Sequence, residues 1–239
     1  MKITSLTNSY IKSLNELSKP KNKKERNEFL VDGLDFIEMA YEAKCLKTIL
    51  TLEHLSGFDG IEQIEVTPQI IEKLSSNRSP SKVIGVCNYP TRREVDGDRI
   101  VYLDGVQDPG NVGTIIRTAL AFNYDAVILS EDSASIYNDK VISSTKGALF
   151  MMNITTCSLK DLKDKGYQVI VTSLAESVDY KSISVNNKAC VVLGSEGQGV
   201  KKSSLDLADV IVKIDISNID SLNVGVAAGI LLNEYRKEN

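Results

Sequence analysis

Three polar, glycine-rich stretches in the second half of the sequence carry the side chains best suited to chemistry. The first runs from Leu103 to Arg117 and has the pattern of a strand end, a turn and a helix start. Asn111 is predicted to cap that helix, and Gly113 would let a ligand approach closely. Arg117 offers five donors in a fixed fork, which suits a phosphate. From the residues alone, a capped helix with a salt-bridged arginine explains this stretch as well as a binding site does.

The second stretch, Val192 to Val200, places three glycines after an apolar run. Such glycines allow backbone groups to meet a nucleotide-like ligand directly. The spacing is G-x-x-G-x-G, which is not the dinucleotide-binding fingerprint, and Val200 stands where a P-loop would have lysine. Glu196 would repel a pyrophosphate, so the stretch favours a ligand with hydroxyls or a cationic centre.

The third stretch runs from Ile214 to Ile230. Ser221 is a candidate helix cap, and Val224 to Gly229 would form a small-residue helix surface that packs backbone against backbone. On physics alone this is a tightly packed terminal helix over Ser221 to Tyr235, with no chemistry implied.

Elements that can position these stretches follow from the apolar pattern. Continuous apolar runs predict strands buried on both faces of a mostly parallel sheet, and helical patterns between them predict a doubly wound α/β domain. Ligands of such sheets bind beyond the carboxyl ends of the strands, where all three stretches begin. The predicted strands are 100–103, 126–129, 168–172, 189–193 and 210–214, and the predicted helices are 112–122, 138–149, 159–165 and 221–235.

A polar segment over residues 88–98 separates this domain from a smaller α/β module. The module has an extended start at Phe29, a helix continuing to Ala43, strands over 48–52 and 82–87, and a helix over Pro68 to Leu74. We therefore expect domains over 1–88 and 98–239, joined by a linker over 89–97.

Composition describes a globular chain of 239 residues, 42% hydrophobic and 25% charged, which excludes disordered and fibrous classes. Its longest apolar run, Val224 to Leu232, is far below the roughly 20 residues of a membrane helix, and the N-terminus does not resemble a signal peptide. We expect a cytoplasmic protein without a membrane partner.

One histidine, His54, and four widely separated cysteines argue against zinc ribbons, multi-histidine metal sites and disulfides, so no metal is expected. The cysteines are expected to be reduced thiols, and His54 a surface residue.

A net charge of -4 argues against nucleic-acid binding by bulk charge alone. The stretch from Lys12 to Arg26 is nevertheless locally positive by four, and Arg92 with Arg93 forms a second small cluster. A solvated surface and a set of phosphate contacts are both open interpretations of these clusters.

Together the three stretches resemble one family. Asp108 to Thr118, Leu193 to Gly199 and Ser221 to Gly229 are similar to the three motifs of the SpoU-type (TrmH-like) RNA ribose 2'-O-methyltransferases, in the SPOUT superfamily. Residues 8–82 resemble that family's substrate-binding module, which is akin to small ribosomal RNA-binding proteins. The resemblance covers essentially the whole chain.

The resemblance implies a C-terminal trefoil knot, bound S-adenosylmethionine, a homodimer, and a structured RNA substrate, with ribosomal RNA favoured over transfer RNA. It assigns Arg117 the role of base. Because a guanidinium is almost always protonated, a clamp on the phosphate beside the reacting ribose stays open as a second role. The ribose and catalytic positions are Asn111, Arg117, Glu196, Ser221 and Asn223. The cofactor positions are Leu193, Gly194, Glu196, Gly199, Ile214, Ile216, Leu222 and Asn223. The RNA contacts are Lys19, Lys21, Lys23, Lys24, Arg26 and Arg117.

The third motif departs from the family pattern. Asp215 and Asn218 lie in a loop one residue shorter than usual, and Gly225 stands where serine is frequent, so the cofactor pocket is expected to be reshaped. This motivates an alternative, a catalytically weakened RNA-binding or assembly protein on the same fold. A nucleotide-binding oxidoreductase is disfavoured because no G-x-G-x-x-G follows Leu103.

Overall fold

The computed structural model describes residues 1–77, 79–91 and 93–237. Arg92, named in the sequence analysis, lies outside the described residues. The chain forms two compact units, one of residues 1–91 with 136–151 and the other of residues 92–135 with 152–239. Within the described residues, no helix is long and apolar enough to cross a membrane.

The first unit contains a mixed sheet. Its strands follow the order β1-β4-β3-β5-β2, with β5 antiparallel to both of its neighbours and the remaining pairs parallel. Their bounds are β1 Lys2–Ile3, β2 Glu28–Asp32, β3 Leu46–Thr51, β4 Glu62–Val66 and β5 Val83–Asn88. The small α/β module is thus confirmed, and β1 and β4 are strands that the sequence analysis missed.

Short helices cover this sheet and bury its apolar side chains. They are α1 Ser9–Asn15, α2 Pro20–Arg26, α3 Leu34–Glu42 and α4 Pro68–Leu74. Asn8 caps α1 through its side chain, and α4 has a proline in its first turn, where the missing N–H costs nothing. Ile11, Leu14 and Ile70 from these helices pack with Leu50 and Ile84 of the strands in one core.

A segment from the second half of the sequence also belongs to the first unit. It contains helix α6, Asp139–Ser144, and a 3₁₀ turn over Ala148–Phe150, where one continuous helix over 138–149 was predicted. The helix ends early because Lys146 (φ 49°) and Gly147 (φ 87°) are both left-handed, which breaks the α-helical ladder. Phe150 stacks on Phe29 of β2, with 5.7 Å between ring centroids.

The second unit is built on a sheet of order β10-β12-β9-β11-β6-β7-β8, and every strand pairing among its described residues is parallel. The predicted buried parallel sheet is therefore confirmed. The strands are β6 Arg99–Asp104, β7 Ala126–Leu129, β8 Asn153–Thr155, β9 Gln168–Thr172, β10 Val178–Asp179, β11 Ala189–Gly194 and β12 Val210–Lys213. Residues of β6 and β11 are buried throughout, as expected of central strands covered on both faces.

Helices of the second unit begin away from two of the predicted caps. They are α5 Pro109–Ala121, α7 Leu159–Asp164, α8 Lys202–Leu205 and α9 Val224–Glu234. Helix α5 starts three residues before the predicted position and α9 three residues after it. Helix α9 packs against α5 and β11, which brings the first and third motifs together.

Candidate functional site

The three motif loops meet beyond the carboxyl ends of strands of the same sheet. The first loop leaves β6, the second leaves β11, and β6 and β11 are paired in register up to Asp104 and Gly194. The third loop leaves β12, which lies across β9 from β11. This edge is where parallel α/β sheets bind ligands, because the loops and helix N-termini collect there.

A cavity of about 510 Å³ opens between the second and third loops. All but one of the predicted cofactor positions line it, namely Leu193, Gly194, Glu196, Gly199, Ile214, Ile216 and Leu222. Ser221, predicted for the ribose site, also lines the cavity, whereas Asn223 lies outside the lining. The cavity volume is in the range of small-molecule sites, so it can hold a ligand of nucleoside size.

Sequence reasoning missed one wall of this cavity. Thr172, the last residue of β9, and the following residues Ser173 to Ala175 line it together with Lys213 at the end of β12. The sequence could have indicated these residues, because β9 was predicted and its carboxyl end lies at the same edge of the sheet as the motif loops.

A chain of hydrogen bonds links the three motifs. The Asn111 side-chain amide donates to Oε1 of Glu196 at 2.6 Å, and the Asn223 amide donates to Oδ1 of Asn111 at 3.0 Å. Oδ1 of Asn223 in turn accepts from the backbone N–H groups of Gly225 and Val226. Each polar group is therefore oriented by the next, and an exposed carboxylate is held in place at the cavity lining.

Both predicted helix caps are wrong. Asp108 caps α5, because its Oδ1 accepts from the backbone N–H of Asn111 at 2.8 Å, and Asn223, not Ser221, caps α9. Proline at position 109 explains the first error, since it takes the first helical position and moves the cap to Asp108. The Asn111 side chain is consequently free to contact Glu196 and Asn223.

Arg117 lies on the exposed side of α5. It makes no ion pair or hydrogen bond with any residue in the described part of the chain, and it does not line the cavity. The salt-bridged arginine considered from the sequence is thus absent from the described structure, and the guanidinium fork is available to an outside anion.

The second loop closes tightly on itself. Ser195 and Gly199 exchange two backbone hydrogen bonds of 3.0 Å, which form an isolated antiparallel bridge. A Cβ at Gly194 would lie 2.3 Å from the carbonyl carbon of Gly199 and from the nitrogen of Val200. Only glycine fits at Gly194, so the neck of the loop depends on this residue.

The predicted RNA-contact cluster, Lys19 to Arg26, lies in the first unit and is only partly exposed. Lys23 was predicted to contact RNA, but it is only 1% exposed, ion-paired to Asp139 and hydrogen-bonded to the Tyr137 carbonyl. The buried ammonium is therefore removed from the cluster. Arg26 is held by Glu28 through two of its nitrogens, whereas Lys19, Lys21 and Lys24 are exposed.

Metal and thiol chemistry find no support among the described residues. No group of three or more histidine, cysteine or acidic side chains there could hold a metal ion. All four cysteines are free, and burial raises the pKa of the Cys45 and Cys157 thiols. A raised pKa disfavours the nucleophilic thiolate.

The fold and the site define an α/β protein whose motif loops form a nucleoside-sized cavity at the edge of a parallel sheet. The sequence matches the SpoU rRNA methylase family over residues 98–233 and the MRM3-like substrate-binding domain over residues 8–85. The chain belongs to the SpoU rRNA methylase family.

Individual relatives agree with this assignment. The chain is 30% identical to the 23S rRNA (guanosine(2553)-2'-O)-methyltransferase RlmP of Bacillus subtilis, over 98% of each chain. It superposes on the S-adenosylmethionine-bound rRNA methyltransferase of Sinorhizobium meliloti with a TM-score of 0.88 and 28% identity, over 98% of this chain and 97% of that one. A TrmH/SpoU tRNA-modifying enzyme of A. aeolicus matches 59% of this chain and 74% of its own, with a TM-score of 0.51 and 27% identity.

Proposed function

We propose that this protein transfers a methyl group from S-adenosylmethionine to a ribose 2'-hydroxyl of RNA, with 23S-type ribosomal RNA as the substrate. The observation that carries this proposal is the hydrogen-bonded chain of Asn111, Glu196 and Asn223, which joins the three motifs beside the cavity. The RlmP relative, which matches over nearly its full length, supports the choice of ribosomal RNA. Such a substrate also favours a cytoplasmic site of action.

The cavity suits the proposed cofactor chemically. Leu193, Ile214 and Leu222 offer apolar surface to an adenine ring, and the glycine-rich loop offers backbone groups to hydroxyls and amides. The Glu196 carboxylate favours a cationic ligand over a phosphate-bearing one. When bound, S-adenosylmethionine supplies an electrophilic methyl group on a positively charged sulfur. The altered third loop leaves Ile214 and Ile216 in the cavity wall, which supports a working cofactor site over the catalytically weakened alternative.

The residues of the chain then have two tasks, to hold the ribose in line with the methyl group and to accommodate the proton that the 2'-hydroxyl loses. Asn111, Ser221 and Asn223 present amide and hydroxyl groups that can orient the ribose. We assign Arg117 to the phosphate beside the reacting ribose, because its exposed guanidinium has donors that no described residue uses and a fork geometry that matches a phosphate. The role that the family resemblance implies for this position, general base, is the competing assignment.

Two variants of Arg117 test the assignment. Arg117→Ala is expected to abolish methylation while leaving the Kd for S-adenosylmethionine within about twofold, because Arg117 does not line the cavity. Substantial rescue by Arg117→Lys favours charge placement beside a phosphate, whereas its absence fits a bidentate clamp or a base. Methylation by Arg117→Ala at the wild-type rate would show that Arg117 is not part of the reaction.

Substrate identity is tested by mapping ribose methylation. Ribosomal and transfer RNA from cells lacking the protein are incubated with the purified enzyme and S-adenosylmethionine, and each new 2'-O-methyl group is located. We expect one methylated ribose in 23S-type RNA. Methylation of transfer RNA alone would favour the activity of the TrmH/SpoU tRNA-modifying relative. No methylation of either RNA, with S-adenosylmethionine still bound, would favour the assembly-protein alternative.

We further propose that residues 1–88 bind RNA and that residues 98–239 form a knotted methyltransferase domain after the linker over 89–97.

The protein is also proposed to be a homodimer. Val226 on α9 is 52% exposed and Ile219, in the loop before α9, is 58% exposed, which supports an apolar contact between subunits. Light scattering is expected to give about twice 26.2 kDa, and a stable monomer at micromolar concentration would contradict the dimer.

The proposed phosphate contacts are the exposed Lys19, Lys21 and Lys24. Arg26 has a lesser role because its guanidinium is ion-paired with Glu28. Replacing the three lysines by glutamine is expected to reduce the dependence of RNA affinity on salt, since each lost contact removes released counterions. An unchanged salt slope would assign the three lysines to a solvated surface.

A further inference from the structure

A network of charges fixes the far end of the glycine-rich loop 195–200. The Asp104 carboxylate is 2% exposed, and its Oδ2 accepts from the backbone N–H of Lys201 at 2.9 Å. The Lys201 ammonium returns to the same carboxylate, with 3.3 Å between Nζ and Oδ1. Main chain and side chain of one lysine therefore converge on one buried acid.

Asp132 completes the network from the loop after β7. Its Oδ1 lies 2.7 Å from Nζ of Lys201 and also accepts from the Ser130 hydroxyl at 2.7 Å. Oγ of Ser130 in turn accepts from the backbone N–H of Gly105, the residue after Asp104. Hydrogen bonds from Lys201 and Ser130 lower the pKa of Asp132, and the hydrogen bond to Asp132 raises the pKa of Lys201 despite partial burial. Both groups are thus stabilised in their charged forms.

The strand register shows that this network closes the glycine-rich loop at one point of the sheet. Asp104 is paired with Gly194, the last residue of β11 before the loop, and it also binds Lys201, the first residue after the loop. The loop therefore leaves and returns at the same point of the sheet. Closing it there restricts the conformations of the backbone that lines the cavity, and a preformed site loses less conformational entropy on binding.

We propose that Lys201 is a positioning residue for the cofactor, which acts by latching the glycine-rich loop to Asp104 and Asp132. Lys201 does not line the cavity, so its effect passes through the loop. The inference rests on the proposed function in one respect, that S-adenosylmethionine occupies the cavity. Losing the latch leaves the loop in several conformations, of which a fraction is competent to bind, and the apparent Kd rises by the inverse of that fraction.

The test compares two neighbouring lysines in the full-length protein. Lys201→Met removes the charge and keeps the aliphatic stem. Lys202→Met is the matched control, because Lys202 is 88% exposed and pairs only with Asp206 among the described residues. Calorimetric titration with S-adenosylmethionine is expected to give a Kd about tenfold higher for Lys201→Met, unchanged for Lys202→Met and largely restored by Lys201→Arg. In turnover, KM for S-adenosylmethionine should rise with little change in KM for RNA.

Amide hydrogen exchange in the ligand-free protein gives a second readout. The backbone amides of residues 195–200 should exchange faster in Lys201→Met than in Lys202→Met, while those of β6 and β11 should not. Asp132→Asn removes only the outer carboxylate, so it should raise the Kd and the exchange rate of residues 195–200 by less than Lys201→Met does. This variant keeps the proposal testable if Lys201→Met does not fold.

The measured Kd and amide exchange distinguish a failure of the Lys201 proposal from a failure of the proposed function. A wild-type Kd and wild-type loop exchange in Lys201→Met would overturn the latch. If wild-type protein did not bind S-adenosylmethionine at all, the proposed function would fail, and the exchange of residues 195–200 would still decide whether Lys201 orders the loop. A lowered unfolding midpoint with an unchanged Kd would assign Lys201 to overall stability and would also overturn the proposal.

Discussion

Replacing Gly194 by alanine tests whether the neck of the glycine-rich loop shapes the cavity. The added Cβ would lie 2.3 Å from the carbonyl carbon of Gly199 and the nitrogen of Val200, and 2.5 Å from the Gly199 oxygen. Carbon atoms in contact are normally about 3.5 Å or more apart, so the overlap exceeds about 1 Å. The obstructing atoms are backbone, which cannot rotate away, so the loop itself must move.

The size of the effect follows from the cost of overpacking. Forcing a methyl group into a filled space typically costs about 1–3 kcal/mol. If the loop relieves that strain by leaving its position, restoring the binding geometry requires the same free energy. The Kd for S-adenosylmethionine should therefore rise about 5- to 150-fold, since about 1.4 kcal/mol corresponds to a factor of ten.

Gly197→Ala provides a control within the same loop. A Cβ at Gly197 meets no atom within 4 Å, and its backbone is not left-handed, so alanine fits there without strain. Calorimetry should give a Kd within about twofold of wild type for Gly197→Ala, with both variants checked for an intact unfolding transition. Equal, wild-type affinity in the two variants would refute the argument that the neck of the loop sets the cavity.

Three further predictions concern stability. Asn223→Ala removes the side-chain acceptor at the start of α9 and should lower the free energy of unfolding by about 1 kcal/mol in urea titrations, whereas Ser221→Ala should leave it unchanged. Asp139→Asn replaces the carboxylate partner of the buried Lys23 ammonium by an amide and should lower the free energy of unfolding by about 2 kcal/mol in the same assay. A change near zero would contradict the buried pair. Hydrogen bonds lower the folded-state pKa of Asp132. Its contribution to stability is therefore present above its unfolded-state pKa of about 3.9 and is lost as pH falls through the lower folded value. In thermal unfolding between about pH 5 and pH 2, Lys201→Met should therefore lose less stability with falling pH than the wild-type protein does.

The parallel sheet and the place of the site could be predicted from the sequence because their signals are local. Continuous apolar runs indicate strands buried on both faces, and β7 and β9 have the predicted bounds. Each motif follows such a run, so the loops had to lie at the carboxyl edge of the sheet. The short strands β1, β8 and β10 were missed, because two or three residues carry too little periodicity to be recognised.

The pairing of polar side chains was decided by the tertiary structure. Asn111 contacts Glu196 across 85 residues of sequence and Asn223 across 112, so no local pattern could reveal either hydrogen bond. Lys23 looked like one basic residue among several, and only the packing of residues 136–151 buried it against Asp139. Sequence patterns fix which backbone segments become strands and loops, because those preferences act over a few residues. Which charges are solvated, and which are buried and paired, depends on segments that arrive from elsewhere in the chain.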